Sequence, residues 1–226
     1  MNFIADAFQL LTGPDAPEFV QRTGEHLAYS ALSLAIALLI GLPLGLWLGH
    51  RRTGSSAVLA VAGALRALPT LGLLTYLTAT LSFGIRMPLI PTVIVLLILG
   101  VPPVLANAFS GIATIDPVTV DAARATGFTE ADILRRVELP LAAPTIVGGV
   151  RSATTQVIAS TTVAAYIGLG GLGRPILDGL ASQDYARMVA ASLVIIVTSL
   201  AIDVLLAVLQ RSVRPTTRSN RKTTHA

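Results

Sequence analysis

Two long stretches of the sequence, His26 to His50 and Met87 to Ile115, contain no Asp, Glu, Lys or Arg. Each exceeds the ~20 apolar residues that a helix needs to cross a bilayer. Three further stretches come close. Ala57 to Phe83 is broken only by Arg66, Leu141 to Gly173 only by Arg151, and Met188 to Leu209 only by Asp203. Buried strands end after ~4–8 residues, so runs of this length are read as helices. The pattern predicts an all-α, polytopic membrane protein with about five transmembrane helices, near residues 27–49, 57–82, 89–111, 141–167 and 187–209. Composition agrees, since 53% of the 226 residues are apolar and only 12% are charged, about half the ~25% usual in soluble domains. The sequence has no cysteine, which excludes a disulfide framework and thiolate metal sites.

Basic residues are retained on the cytoplasmic side of a membrane. With the N-terminus outside, the inner segments hold Arg51, Arg52, Arg124, Arg135, Arg136, Arg211, Arg214, Arg218, Arg221 and Lys222, ten of the sixteen basic residues. The net +4 then separates into +5 inside, −2 outside and +1 within the spans. An N-out, C-in arrangement is expected, and the basic balance needs no nucleic acid to account for it. Residues 1–26 carry Asp6, Asp15 and Glu18 with two prolines and no basic leader, unlike a signal peptide. Ile4, Phe8 and Leu11 share a helical face, which suggests a short interfacial helix in an extracytoplasmic segment. Residues 27–210 form the transmembrane domain. The basic, Thr/Ser-rich tail 211–226 is expected to be disordered in the cytoplasm and to touch anionic membrane lipid.

Charges inside spans are rare and face a partner or a cavity. Arg66, Arg151 and Asp203 are therefore candidates for a network in which Asp203 pairs with Arg151 or Arg66, either static or rearranging between transport states. Thr70, Thr154, Thr155, Gln156 and Thr161 are polar candidates for lining a pathway, with helix packing as the alternative. Pro69 and Pro102-Pro103 are expected to bend spans two and three.

One polar segment, 116–139, has its own helix punctuation. Asp116-Pro117 reads as N-cap and first helical position, Gly127 as the residue ending that helix, Thr129 with Asp132 as the cap of a second short helix, and Pro140 as following its end. Ile133, Leu134 and Val137 make an apolar patch, suited either to docking a partner or to lying on the chain's own helix ends.

Within this loop Asp121-Ala122-Ala123, Gly127, Ile133 and Leu139-Pro140 resemble the EAA…G…I.LP loop of permease subunits of bacterial ABC importers, with Asp in place of the first Glu preserving the carboxylate. The run Val137 to Ala142, then Gly149, Arg151, Ala153 and Thr154, ending in Ala164-Ala165-Tyr166-Ile167-Gly168-Leu169-Gly170-Gly171-Leu172-Gly173, is similar to the osmoprotectant branch, as is Glu25-His26-Leu27 to Pro43-Leu44-Gly45. That branch imports glycine betaine, choline, carnitine or proline betaine. The resemblance implies a multi-pass subunit of the bacterial cytoplasmic (inner) membrane working by alternating access. The loop would be the coupling helix, seated on an ATP-hydrolysing subunit. Two ATPase copies, an extracytoplasmic solute-binding protein and a second permease, identical or paralogous, would complete the assembly. Gly168, Gly170, Gly171 and Gly173 would form a tight loop near the outer gate. Methionine and phosphonate permeases are similar in this stretch and stay open as alternatives. An ion-coupled secondary carrier and a non-transporting scaffold are more distant rivals.

A Walker loop needs Gly-Lys-Ser/Thr, and the only lysine is Lys222, preceded by Arg221. ATP and Mg are therefore expected on the partner ATPase, with no cofactor of the chain's own. Gly168, Gly170 and Gly173 spell G-x-G-x-x-G, but after a span rather than a strand, which removes the dinucleotide reading. His26, His50 and His225 are too scattered for a paired-histidine metal helix, and neither metal binding nor catalysis is expected. Aromatic cages hold quaternary ammonium groups, and this chain has one Trp, four Tyr and six Phe, scattered. High-affinity recognition is thus expected of the external binding protein.

Overall fold

The computed structural model describes residues 2–213, without the side chains of Ser55, Ser56, Ala57, Leu59 and Arg66. Ten α-helices follow one another among these residues, with no strand: α1 (Phe3–Thr12), α2 (Ala16–His50), α3 (Ser55–Arg66), α4 (Thr70–Thr80), α5 (Leu89–Ala113), α6 (Pro117–Ala125), α7 (Glu130–Ile133), α8 (Leu139–Thr161), α9 (Gly173–Ser182) and α10 (Tyr185–Ser212). A π turn, Leu134–Glu138, joins α7 to α8, and a 3₁₀ turn, Thr162–Ile167, follows α8. Among the described residues, α2, α5 and α10 are long and apolar enough to cross a bilayer.

α5 is the hub. It packs along α2 on one side and α8 on another, and it also touches α3 and α4. The α2–α5 contact is built on a four-residue ladder of small residues. A Cβ on Gly45 would stand 2.7 Å from both the Ala108 Cβ and the Leu105 carbonyl oxygen, and one on Gly49 would stand 2.8 Å from the Ile112 Cβ. Gly41 meets Val104 in the same way, at 3.0 Å. Removing the Cβ lets two backbones approach closely, which is how membrane helices gain dispersion energy where lipid offers no hydrophobic drive. On the α8 side, Gly149 lies against Asn107, with 2.5 Å left for a Cβ.

Three features of the fold correct the expected helix bounds. The span expected at 57–82 is two helices, because Pro69 lacks an N–H and becomes the N-cap of α4 in an extended conformation. Pro102-Pro103, in contrast, lie within an unbroken α5. The fourth stretch ends its regular α-helix at Thr161 rather than 167. The first long helix starts at Ala16, so residues 16–26 continue the helix expected over 27–49. α1 packs on α10, with Ala7 fully buried beside Phe19, Leu172, Ala190 and Ala191. Its inward face is thus Ala7 with Leu10 and Leu11, while Ile4 and Phe8 stay exposed. The tail beyond Val213, together with the Arg66 side chain, lies outside the described residues.

The glycine ladder makes a selective prediction. Gly45→Leu should lower stability by about 1–3 kcal/mol, the usual cost of overpacking, and reduce the thermal midpoint of the detergent-purified protein. Gly63→Ala, which meets nothing within 4 Å, should not lower it.

Candidate functional site

The loop after α5 folds as its punctuation dictates. Asp116 Oδ1 accepts from the Val118 N–H at 2.9 Å, and Pro117 occupies the first turn of α6. Gly127 turns the chain at φ 87°, in the left-handed region that disfavours side chains. Thr129 caps α7, accepting from the Asp132 N–H at 3.2 Å and donating its hydroxyl to the Asp132 carboxylate at 2.6 Å. That hydroxyl holds the Asp132 carboxyl below its ordinary pKa. α7 does not stop at Pro140. It runs through the π turn into α8, which begins at Leu139 with Pro140 in its first turn, where a missing N–H costs little.

Arg124 fixes the loop internally. Its guanidinium donates to both oxygens of Glu130, at 2.8 and 3.0 Å, and to Asp121 at 3.0 Å. Asp121 thereby helps to lock α6 to α7. The Arg124 fork holds the Glu130 carboxyl below the usual range. A lowered carboxylate pKa stabilises the fold above the unfolded value and is lost only as pH falls through the folded one, so the fork is intact at neutral pH.

The apolar patch divides in a way that the helical spacing did not reveal. Ile133 is fully buried, and Leu134, Val137 and Leu139 are half-buried. Ile133 is thus turned into the protein, whereas Leu134 and Val137 keep part of their surface open. The surface left open carries Val118, 72% exposed, and Phe128, together with Asp121, Ala122, Gly127 and Pro140, while Ala123 is half-covered.

Inside the bundle, Arg151 on α8 and Asp203 on α10 form a two-pronged pair, Nε to Oδ1 at 2.5 Å and Nη2 to Oδ2 at 2.6 Å. The planar guanidinium matches both carboxylate oxygens, and the two side chains meet while each keeps part of its surface open. Thr154 and Thr161, offered as pathway residues, are buried. Thr161 lies in a polar seam between α8 and α2, where its Oγ1 is 2.9 Å from Ser30 Oγ. In the same seam His26 Nε2–H donates to the Ile158 carbonyl at 2.9 Å. Thr155 is exposed, and Gln156 and Thr70 are half-buried, so these three keep a face open to the surroundings.

At the end of the bundle opposite the loop, the glycine run is tied to α2. The Gly171 N–H donates to Glu25 Oε2 at 2.8 Å, and Arg22 donates to the same oxygen at 3.1 Å. Gly168 and Gly171 both have φ 85°. A Cβ on Gly170 would fall 2.2 Å from the Glu25 carboxylate, and one on Gly173 would fall 2.1 Å from the Thr162 carbonyl. Glycines here serve a close approach of the run to α2 and to the Thr162 carbonyl. Sequence reasoning missed Glu25, His26 and Ser30 as partners. The available signal was their place at the head of the first uncharged stretch.

Residues 41–215 match the family described as the binding-protein-dependent transport system inner membrane component. This chain belongs to that family. It is a membrane permease component of an ABC importer. Over 198 residues it is 30% identical to the choline transport system permease protein OpuBB of Bacillus subtilis (strain 168), covering 88% of this chain and 89% of that one. It is 31% identical, with the same shares, to the glycine betaine/carnitine/choline transport system permease protein OpuCB of that organism. It is 32% identical over 196 residues to the osmoprotectant import permease protein OsmW of Salmonella typhimurium, covering 85% and 90%. The fold is shared with the MetNI methionine ABC transporter in an inward-facing conformation, with a TM-score of 0.75 at 22% identity over 90% of this chain and 100% of that one.

The Arg151–Asp203 pair sets a prediction for this permease. Arg151→Ala and Asp203→Ala should each lower the thermal midpoint in detergent, because each removes one half of the two-pronged pair that joins α8 to α10. The swap Arg151→Asp with Asp203→Arg should recover most of the loss. A swap no more stable than either single variant would show that the fork does not hold α8 to α10.

Proposed function

We propose that the permease forms the translocation pathway for a compatible solute of the glycine betaine, choline, carnitine or proline betaine class. The observation that carries this reading is 30–32% identity, over most of both chains, to permeases named for choline, glycine betaine, carnitine or osmoprotectant transport. ATP is hydrolysed, with Mg, by a separate ATPase subunit present in two copies, and a solute-binding protein delivers the solute from outside. A second permease, identical or paralogous, completes the pathway by alternating access. The chain lies in the bacterial cytoplasmic membrane as a multi-pass protein, N-out and C-in, which puts α6 and α7 on the cytoplasmic side and the glycine loop near the outer gate. The distribution of basic residues supports this orientation.

Segment 116–139 is the ATPase-coupling loop in this reading. Arg124 makes it a rigid unit, and a rigid unit passes on a push instead of absorbing it. Its docking face is the open side of α6 with Phe128, while Ile133 transmits from within. The methionine reading has one observation in its favour, the shared fold with MetNI, and identity there is lower.

Reconstitution with the ATPase and binding protein in proteoliposomes tests both points. Labelled choline, glycine betaine or carnitine should accumulate only with ATP inside the ATPase-accessible compartment, and methionine should not. Methionine uptake with no betaine uptake would replace the substrate class. Val118→Asp should weaken ATPase co-purification by about tenfold or more, equivalent to ~1.4 kcal/mol, without altering the thermal midpoint of the permease alone.

A further inference from the structure

His50, the last residue of α2, stands between two carboxylates. Its Nδ1 is 2.6 Å from Oε2 of Glu138 in the π turn, and its Nε2 is 3.2 Å from Oε2 of Glu130 in α7. Glu138 is 1% exposed. Glu130 is open to solvent and shares its carboxylate with Arg124, which in turn holds Asp121. Arg51, stacked on Trp47 at 4.6 Å, lines the same open cavity with His50, Arg124 and Glu130.

Few other contacts join this loop to α2. α6 and α7 pack on each other, and each or both meet the π turn, while Arg52 donates to the Ile115 carbonyl at 2.7 Å where the loop begins. The α2 end is also fixed to α5, because Gly49 lies against Phe109 and Ile112. A displacement of α7 therefore reaches α2 side chain to side chain through His50.

The chemistry of that link is a proton count. A neutral imidazole has one N–H and one bare lone pair. It satisfies one carboxylate and turns a lone pair towards the other. The cluster of His50, Glu130 and Glu138 closes on both sides only when it holds two protons, whether as imidazolium between two carboxylates or with one proton passed to Glu138. With one proton, the buried Glu138 has the stronger claim on it, and Glu130, which keeps Arg124, is the side that lets go.

We propose that His50 is the positioning residue that transmits movement of the coupling loop to the first membrane helix, and that it does so only in the two-proton state of the His50–Glu130–Glu138 cluster. The proposal rests on the reading of 116–139 as the ATPase-coupling loop. Coupling is then strongest at lower pH on the ATPase side and declines as pH rises.

The test is solute taken up per ATP hydrolysed, measured in proteoliposomes holding the full transporter, as pH on the ATPase side is raised from about 6 to about 8.5. The wild-type ratio should fall as pH rises. His50→Phe, which keeps a ring and removes both donors, should lower the ratio by about fivefold or more, the lower end of typical coupling effects, while ATP hydrolysis continues. Glu130→Gln should flatten the pH dependence, because an amide can accept from an N–H or donate to a bare nitrogen. A packing role for His50 would lower yield and leave the pH profile in place. A wild-type ratio independent of pH, or a Glu130→Gln profile like that of the wild type, overturns the proposal. Absence of ATP-dependent uptake by the wild type would instead overturn the importer reading itself.

Discussion

The approach of α2 to α5 is the contact on which the rest of the permease is built. Gly41, Gly45 and Gly49 leave no room for a Cβ against Val104, Ala108 and Ile112, so the two backbones lie as close as side-chain-free helices allow. With that register fixed, α8 seats against both helices, through Gly149 against Asn107 on α5 and through the Ser30–Thr161 pair on α2. α8 then carries Arg151 to Asp203 and so places α10. Each later contact is polar or narrow and depends on the first having brought the helices to the right depth.

This order of dependence explains where polar groups sit. Lipid cannot satisfy a hydrogen-bonding group, so such groups are met inside the protein. The pairs occur at three levels: Glu25 with Gly171 and Arg22 at one end, Arg151 with Asp203 and Ser30 with Thr161 within the bundle, and His50 with Glu138 at the loop end. All but the Arg22 contact join segments distant in sequence. They fix register between helices that apolar side chains alone would let slide, and they give the two ends of the bundle defined attachments to the segments beyond them.

Local signals were legible where the chain interacts with its near neighbours. The Asp116 cap, the Gly127 turn and the Thr129–Asp132 cap all depend on residues within three positions of one another. The Arg151–Asp203 pair was legible as one of two candidates, since an isolated charge in a span demands a counter-charge and few exist. The burial of Ile133 and Thr161 was not legible. A helical face looks the same in sequence whether it meets its own protein, a partner or lipid, because all three are apolar.

The sequence by itself determined an all-α membrane protein, the loop with its caps, and membership of the permease family, for these follow from composition over long windows and from short motifs. Only the tertiary structure decided that Pro69 splits a span while Pro102-Pro103 do not, that Glu25 holds the glycine run, and that one histidine meets two carboxylates. Glu130 and Glu138 lie some eighty residues further along the chain than His50, a separation across which no periodicity acts. Helix packing, set by the glycine contact with α5, is what brings the three together.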